Sequence, residues 1–177
     1  MLARGRAFLT VPVLGGLYCY ADLTCKRGER AESDIATLRS LFSDFAPPVG
    51  AILDGLVTAD AVHCAPIEEV TVDPSATARI VLIGDAAHAT SPNMAQGACM
   101  AVEDAVILSE MLALGGRAGN RLLAFLERRR ARTRWVQQRT HRRDRVRSLP
   151  ASLRNIALRS SATRMYRNDY QPLFSEP

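Results

Sequence analysis

Aromatic residues make up only 6% of this 177-residue sequence, and its four cysteines, Cys19, Cys25, Cys64 and Cys99, show neither a close pair nor metal-ligand spacing. A disulfide framework and a zinc site are therefore not expected, no metal is assigned, and a reducing compartment follows. No apolar run is long enough to span a bilayer, and Met1-Leu2-Ala3-Arg4-Gly5-Arg6 is not followed by the apolar stretch and cleavage site of a secretory signal. A cytoplasmic protein is the default expectation. No Gly-x-Gly occurs anywhere, so the turn that cradles a pyrophosphate in a dinucleotide fold is missing. There is no internal repeat or low-complexity segment, and no Ser-His-Asp or Cys-His arrangement has supporting local context. No catalytic side chain is assigned.

Apolar residues account for 47% of the chain, which reads as globular and sufficient for one core. The most informative stretch runs from Arg79 to Leu112. Ile80 to Ile83 are a short apolar, largely β-branched run that suits a buried strand, and Gly84 ends it where the backbone must turn. Asp85 follows at the strand end. Past a loop containing Pro92, the small residues Ala95, Gly97 and Ala98 open a helical pattern in which Ala101, Ala105, Leu108 and Leu112 recur at three- and four-residue intervals. A helix start offers unpaired N–H groups and the positive end of the dipole, and Gly97 permits close backbone approach. An ionised Asp85 accepts hydroxyl protons. A ligand with hydroxyls and an electron-rich ring fits such a strand, loop and helix.

Elsewhere the chain alternates strand and helix signals. Phe8 to Val13 and Gly16 to Leu23 read as a hairpin, with Tyr18 and Tyr20 more readily ordinary strand aromatics than pocket residues. Ile35, Leu38, Leu41, Phe42 and Phe45 form a helical stripe with Ser33 or Asp34 as N-cap, and Pro47-Pro48 stop it. A short helix is expected over Val49 to Leu56. Ala65 to Val70 reads as a strand leading through the turn residues Asp73-Pro74-Ser75 into Ile80.

The net charge of +5 hides an asymmetry, because twelve arginines between Arg117 and Arg147 face only Glu127 and Asp144. A long helix capped by Asn120, with an apolar stripe from Leu122, Leu123, Phe125, Leu126, Trp135 and Val136, is expected there. Its arginines are read as a solvated face in preference to a nucleic-acid-binding surface. A last short amphipathic helix covers Leu153, Ile156 and Ala157 up to Met165, and Tyr166 to Pro177 is expected as a loose tail.

Gly84-Asp85-Ala86-Ala87-His88, Pro92, Gln96-Gly97, Ala101 and Glu103-Asp104-Ala105 closely resemble the second flavin-binding motif of the class A FAD-dependent monooxygenases, the aromatic hydroxylases. The resemblance implies that Asp85 bonds the ribityl chain of FAD and that Pro92 lies beside the isoalloxazine ring. It also implies that the amides of Ala98 and Cys99 face the pyrimidine edge and stabilise the negative charge of reduced flavin. The cofactor-binding set is thus Gly84, Asp85, Pro92, Gln96, Gly97, Ala98 and Cys99. Ala95 stands where the family usually has glycine. His88 is expected to brace the loop, and Glu103 and Asp104 to cap, pair with arginines or bind water. By the same resemblance a Glu-x-x-Arg-like pattern, with Glu127 pairing Arg130 or Arg134, ties the following helix back to the flavin domain.

The resemblance extends roughly from Arg6 to His141 and matches only the carboxy-terminal half of such an enzyme. The implied fold class is α/β (α+β), part of a FAD/NAD(P)-binding domain with a portion of the substrate-domain sheet and without the amino-terminal Rossmann βαβ unit. The implied division is residues 1–75 in the substrate-binding sheet region, 76–148 in the carboxy-terminal part of the FAD-binding domain, and 149–177 as short helix and tail. The implied activity uses NAD(P)H to reduce FAD, oxygen to form a flavin hydroperoxide, and an aromatic or similar small molecule as the substrate hydroxylated. A chain lacking the parallel neighbours of its motif strand exposes an edge, so an amino-terminal partner subunit, or self-association through that edge, is a further expectation. On that alternative the chain is a non-catalytic interaction subunit that completes a partner's fold.

Overall fold

The computed structural model describes residues 1–26, 28, 34–70 and 79–176, and the chain divides into two compact units, Met1–Pro66 and Ile67–Pro177. In the first unit, strands β1 (Leu2–Ala3), β2 (Arg6–Val13) and β3 (Gly16–Leu23) form an antiparallel sheet in the order β1-β2-β3. The expected hairpin is β2–β3, in register from Arg6 opposite Leu23 to Val13 opposite Gly16. Leu9 faces Tyr20 and Val11 faces Tyr18, so these four share the sheet face opposite that of Phe8. Phe8 is buried with Phe42, Val49 and Leu53, against helices α1 (Ile35–Leu41) and α2 (Val49–Asp54). The rings of Phe8 and Phe42 meet edge to face at 5.5 Å, a geometry that favours aromatic pairs.

Asp34 caps α1, its side chain accepting from the Thr37 amide at 2.8 Å; the alternative cap, Ser33, lies outside the described residues. Arg6 grips Asp44 through two nitrogens, at 2.9 and 2.8 Å, and Arg39 donates to the carbonyls of Leu53, Asp54 and Leu56, closing the end of α2. Two arginines thus tie the ends of short helices too small to hold themselves.

The second unit is helical: α3 (Asp85–His88), α4 (Gly97–Ala113), α5 (Ala118–Arg147) and α6 (Ala151–Tyr170), with short 3₁₀ turns at Pro92–Met94 and Gln171–Phe174. The strand expected at Ile80–Ile83 is not a ladder. Val81 alone is bridged, and Ile80, Leu82 and Ile83 are 64%, 45% and 39% exposed rather than buried. A strand needs neighbours to exchange hydrogen bonds, and among the described residues no ladder forms over Ile80–Ile83. Residues 65–70 form no strand either; the Val70 amide instead donates to the carbonyl of Ala89 at 3.0 Å. The turn expected at Asp73-Pro74-Ser75 lies outside the described residues.

Helix α4 buries Met100, Asp104 and Ile107, a stripe offset by one residue from the expected one, and Ala105 and Leu112 are exposed. Counting apolar residues misplaced the face because its centre is a carboxylate. Helix α5 is capped at Arg117, not Asn120, and buries Leu122, Phe125, Arg129, Arg132, Thr133, Val136 and Thr140 at three- and four-residue spacing. Leu123 is 57% exposed. The segment read as a loose tail is the end of α6 and the final 3₁₀ turn, where Arg132 donates to the carbonyls of Pro172 and Ser175 at 2.8 and 2.5 Å.

Candidate functional site

Gly84 adopts φ 58° and ψ −144°, a conformation open only to glycine, and a Cβ there would stand 3.3 Å from that of Ala101. The sharp turn starts α3 at once, so Asp85 projects its carboxylate into solvent. Gly97 opens α4 beside it: a Cβ on Gly97 would lie 3.7 Å from Asp85 Oδ1. Gln96, at the N-cap, makes no side-chain cap and points its amide at the carbonyl of Met94, 3.4 Å away. The first turn of α4 therefore lacks a cap from the Gln96 side chain and lies next to the exposed Asp85.

Of the residues singled out from the sequence, Asp85 and Gly97 are brought into contact, and Asp85, Pro92, Ala98 and Cys99 are exposed. Gly84 is buried, with its N–H committed to Asp104 Oδ2 at 2.8 Å, so it shapes the turn. Gln96 is half-buried. Ala95 lies in the left-handed region, φ 51° and ψ 35°, which disfavours any residue with a Cβ.

Beneath this surface lies a buried polar cluster. Asp104 accepts from the Gly84 amide, from His88 Nε2 at 2.7 Å and from Arg129 Nε at 2.7 Å. Arg129 also donates to Glu103 at 2.6 Å and to the carbonyl of Met100 at 3.3 Å. Burial pushes the Asp104 carboxyl up, but the bonds from His88, Gly84 and Arg129 outweigh it and hold the group below the ordinary aspartate value. His88 is buried and turned to Asp104, a bracing position. The tie between α5 and α4 is therefore made by Arg129 to Glu103 and Asp104. Arg129 and Arg132 are buried, so the expectation of a wholly solvated arginine face is corrected at these two positions.

The loop between α3 and α4 is held from outside as well. Glu69 accepts from the Ser91 amide at 3.0 Å and from Thr90 Oγ1 at 3.2 Å, and His141 Nε2 lies 2.7 Å from its other oxygen. Partial burial raises the Glu69 carboxyl, yet the Ser91 amide and His141 bring it below the ordinary glutamate value. Asp144 accepts from Asn93 Nδ2 and from Ser91 Oγ. Burial and the nearby charge of Glu69 push its carboxyl up, despite the bond from Asn93. Glu69, Asp144 and Arg129 escaped the sequence reading because each acts across 20 or more residues; only the Glu103-Asp104 pair signalled that an arginine partner was due.

The exposed Asp85 thus stands beside the uncapped start of α4, above the buried Asp104–Arg129 cluster. The FAD binding domain family model matches residues 31–140, and the chain belongs to this family of FAD-dependent monooxygenases. It is 36% identical over 126 residues to 2-heptyl-3-hydroxy-4(1H)-quinolone synthase of Pseudomonas aeruginosa, covering 69% of this chain and 33% of that protein. It is 33% identical over 113 residues to FAD-dependent urate hydroxylase of Klebsiella pneumoniae, covering 60% of this chain and 29% of that protein. Among solved structures, Klebsiella pneumoniae HpxO complexed with FAD and uric acid superposes with a TM-score of 0.82 at 22% identity, over 99% of this chain and 47% of that one. The chain thus spans about a third of the length of the curated relatives it matches and about half of the solved structure. The mixed helix and sheet architecture expected from the sequence is that of this fold.

Proposed function

We propose that this chain supplies the flavin-facing half of an FAD-dependent monooxygenase that hydroxylates a small, planar aromatic or heteroaromatic molecule with NAD(P)H and O₂. The carrying observation is the juxtaposition of the exposed Asp85 carboxylate with Gly97 and the uncapped start of α4. FAD, when bound, supplies the hydride acceptor and the oxygen-activating ring. Asp85 accepts hydroxyl protons of its ribityl chain, Pro92 walls the ring, and the amides of Gly97, Ala98 and Cys99 stabilise negative charge at its pyrimidine edge. Gly84 and Gln96 shape the turn and loop that present these groups. The substrate class is supported by the names of the relatives, which specify a quinolone and urate, both planar heterocycles.

On this reading the unit Met1–Pro66 contributes its sheet to the substrate side, the second unit up to residue 148, with Glu69, holds the flavin, and 149–177 support the flavin loop. The site assumes a cytoplasmic, reducing setting. No described helix is long and apolar enough to cross a membrane. The test is a titration of the chain with FAD, followed by quenching of flavin fluorescence, against Asp85→Ala. Loss of a buried ribityl acceptor weakens binding by about 1–3 kcal/mol. Equal affinity in the variant refutes the role of Asp85.

A second reading rests on the exposed apolar run Ile80, Leu82 and Ile83. Such an exposed apolar row is a surface for association, and an amino-terminal segment in a separate chain, or a second copy, would cover it. Size-exclusion with light scattering decides this: a monodisperse monomer that binds FAD removes the need for either.

A further inference from the structure

The turn that carries Pro92 does not hold itself. It leaves the 3₁₀ geometry at Ala95 in a left-handed conformation that costs about 1–2 kcal/mol, and its internal backbone bond runs from the Ala95 amide to the carbonyl of Pro92 at 2.8 Å, with Asn93 Nδ2 donating to Ser91 Oγ at 3.1 Å and Gln96 Nε2 to the Met94 carbonyl at 3.4 Å. The next two carbonyls, of Asn93 and Met94, turn toward helices α5 and α6. Arg143 Nη1 donates to the first at 3.0 Å, and the Tyr170 hydroxyl donates to the second at 3.3 Å.

Both donors are themselves fixed. Arg143 Nε donates to Asp169 Oδ2 at 3.0 Å and its Nη1 to the Tyr170 oxygen at 3.1 Å, while its guanidinium carbon stands 4.9 Å from the Tyr170 ring centroid. Tyr170 thus accepts from Arg143 and donates to Met94 through one hydroxyl. Asp169 is buried and is also reached by Arg139 at 3.6 Å, and the Tyr170 ring packs on Tyr166 at 4.8 Å. The last turn of α6 is therefore a fixed post, and the Pro92 turn hangs from it.

We propose that Arg143 and Tyr170 are positioning residues for the flavin, setting where the Pro92 turn stands relative to the start of α4. This rests on the reading that Pro92 faces the isoalloxazine ring. The two residues touch no cofactor atom in this scheme; they act through the carbonyls of Asn93 and Met94. A turn with a disfavoured residue at its exit has other conformations close in energy, so Arg143, fixed by the buried Asp169, and Tyr170, fixed by Arg143, help select one by holding its carbonyls, while Glu69 and Asp144 hold its other side. The contact joins parts of the chain 50 and 76 residues apart, which is a reason for α6 to follow the flavin-binding segment at all.

The test uses Tyr170→Phe and Arg143→Lys in the full chain. The first keeps the ring on Tyr166 and Arg143 and removes only the hydroxyl, and the second keeps the charge and removes the fork. Two readouts are taken: exchange of the Ala95 amide without FAD, and FAD affinity together with the absorbance envelope of the bound flavin. In both variants Ala95 exchanges several-fold faster, FAD affinity falls about three- to tenfold, and the envelope shifts, with melting of Tyr170→Phe near that of the parent. Unchanged Ala95 exchange in folded variants overturns the tether. Faster exchange with parent-like affinity and envelope, while Asp85→Ala loses FAD, overturns the positioning role and leaves the flavin site standing. Absence of FAD binding by the parent chain overturns the flavin reading, and the role of Arg143 and Tyr170 with it.

Discussion

Asp104 of α4 and Arg129 of α5, 25 residues apart in sequence, meet at 2.7 Å with both side chains almost wholly buried, 1% and 3% exposed. The same carboxylate holds the Gly84 amide and His88, so one acidic side chain joins the two long helices to the turn that presents Asp85. Taking two charges out of water is costly, and the bonds that Gly84, His88, Glu103 and the Met100 carbonyl make to this pair offset that cost.

Removing one partner should therefore be severe. Arg129→Met leaves Asp104 without its guanidinium and Glu103 with only Arg132 at 3.6 Å, and is expected to destabilise the second unit by roughly 3–5 kcal/mol, read from urea unfolding. Asp104→Asn should cost less, because the amide oxygen still accepts one bond. In a double-mutant cycle the two should couple by well over about 1 kcal/mol; additive effects would show that the pair is not a unit.

Acid titration separates Asp104 from Asp144. The Asp104 carboxyl is held below its ordinary value, against its burial, by His88, Gly84 and Arg129, so its contribution is present above the ordinary aspartate range and is lost as pH falls through the lower folded value. Burial and Glu69 push Asp144 the other way, so the folded state prefers it protonated and loses that preference as pH rises from the ordinary value through the raised one. Urea midpoints measured from neutral to acid pH should fall less steeply for Asp104→Asn than for the parent. For Asp144→Asn they should fall more steeply, and matching slopes in all three proteins would remove both assignments.

Glu69 gives a third expectation. Glu69→Ala frees the Ser91 amide, Thr90 and His141 together, whereas Glu69→Gln keeps one carbonyl for the Ser91 amide. The alanine variant should lose protection of the Ser91 amide in hydrogen exchange, and the glutamine variant should retain most of it. Equal loss in both would mean the charge, and not the acceptor, holds the loop.

The fold was partly legible in the sequence, and the boundary between what could and could not be read has a physical basis. The hairpin, α1, α2 and the start of α4 follow from alternation, a capping Asp34 and small residues, all local signals. The buried side of α4 was not legible, since Asp104 looks like a surface residue until Arg129 is placed against it. Nor was the order of the last residues read, although Tyr166, Tyr170, Leu173 and Phe174 recur at helical spacing, because the bonds that fix them come from Arg132 and Arg143 on another helix. The strand at Ile80–Ile83 has the composition of a buried strand, but neighbours decide burial. In the site, the residues that face outward were visible as a motif, whereas those that hold the loop, Glu69, Asp144, Arg143 and Tyr170, carry no local signal.

The backbone at either end of the loop supplies the last prediction, in which two substitutions that differ by a single methyl group act in opposite directions. Ala95 sits at φ 51°, where a Cβ crowds the following carbonyl, and Ala95→Gly should stabilise the chain by up to about 1 kcal/mol once glycine's extra freedom in the unfolded state is subtracted. Gly84 sits at φ 58° and ψ −144°, and Gly84→Ala should cost at least about 1–3 kcal/mol from backbone strain, with the 3.3 Å approach to Ala101 adding to it. Because the Gly84 amide is bonded to Asp104, the damage should spread: the Gly84→Ala variant should lose part of the acid-sensitive stability that Asp104 confers, whereas Ala95→Gly should leave it intact. Thermal melts of both at neutral and acid pH check the pair. A Gly84→Ala protein as stable as the parent would mean that the turn is free to relax and does not set the position of Asp85.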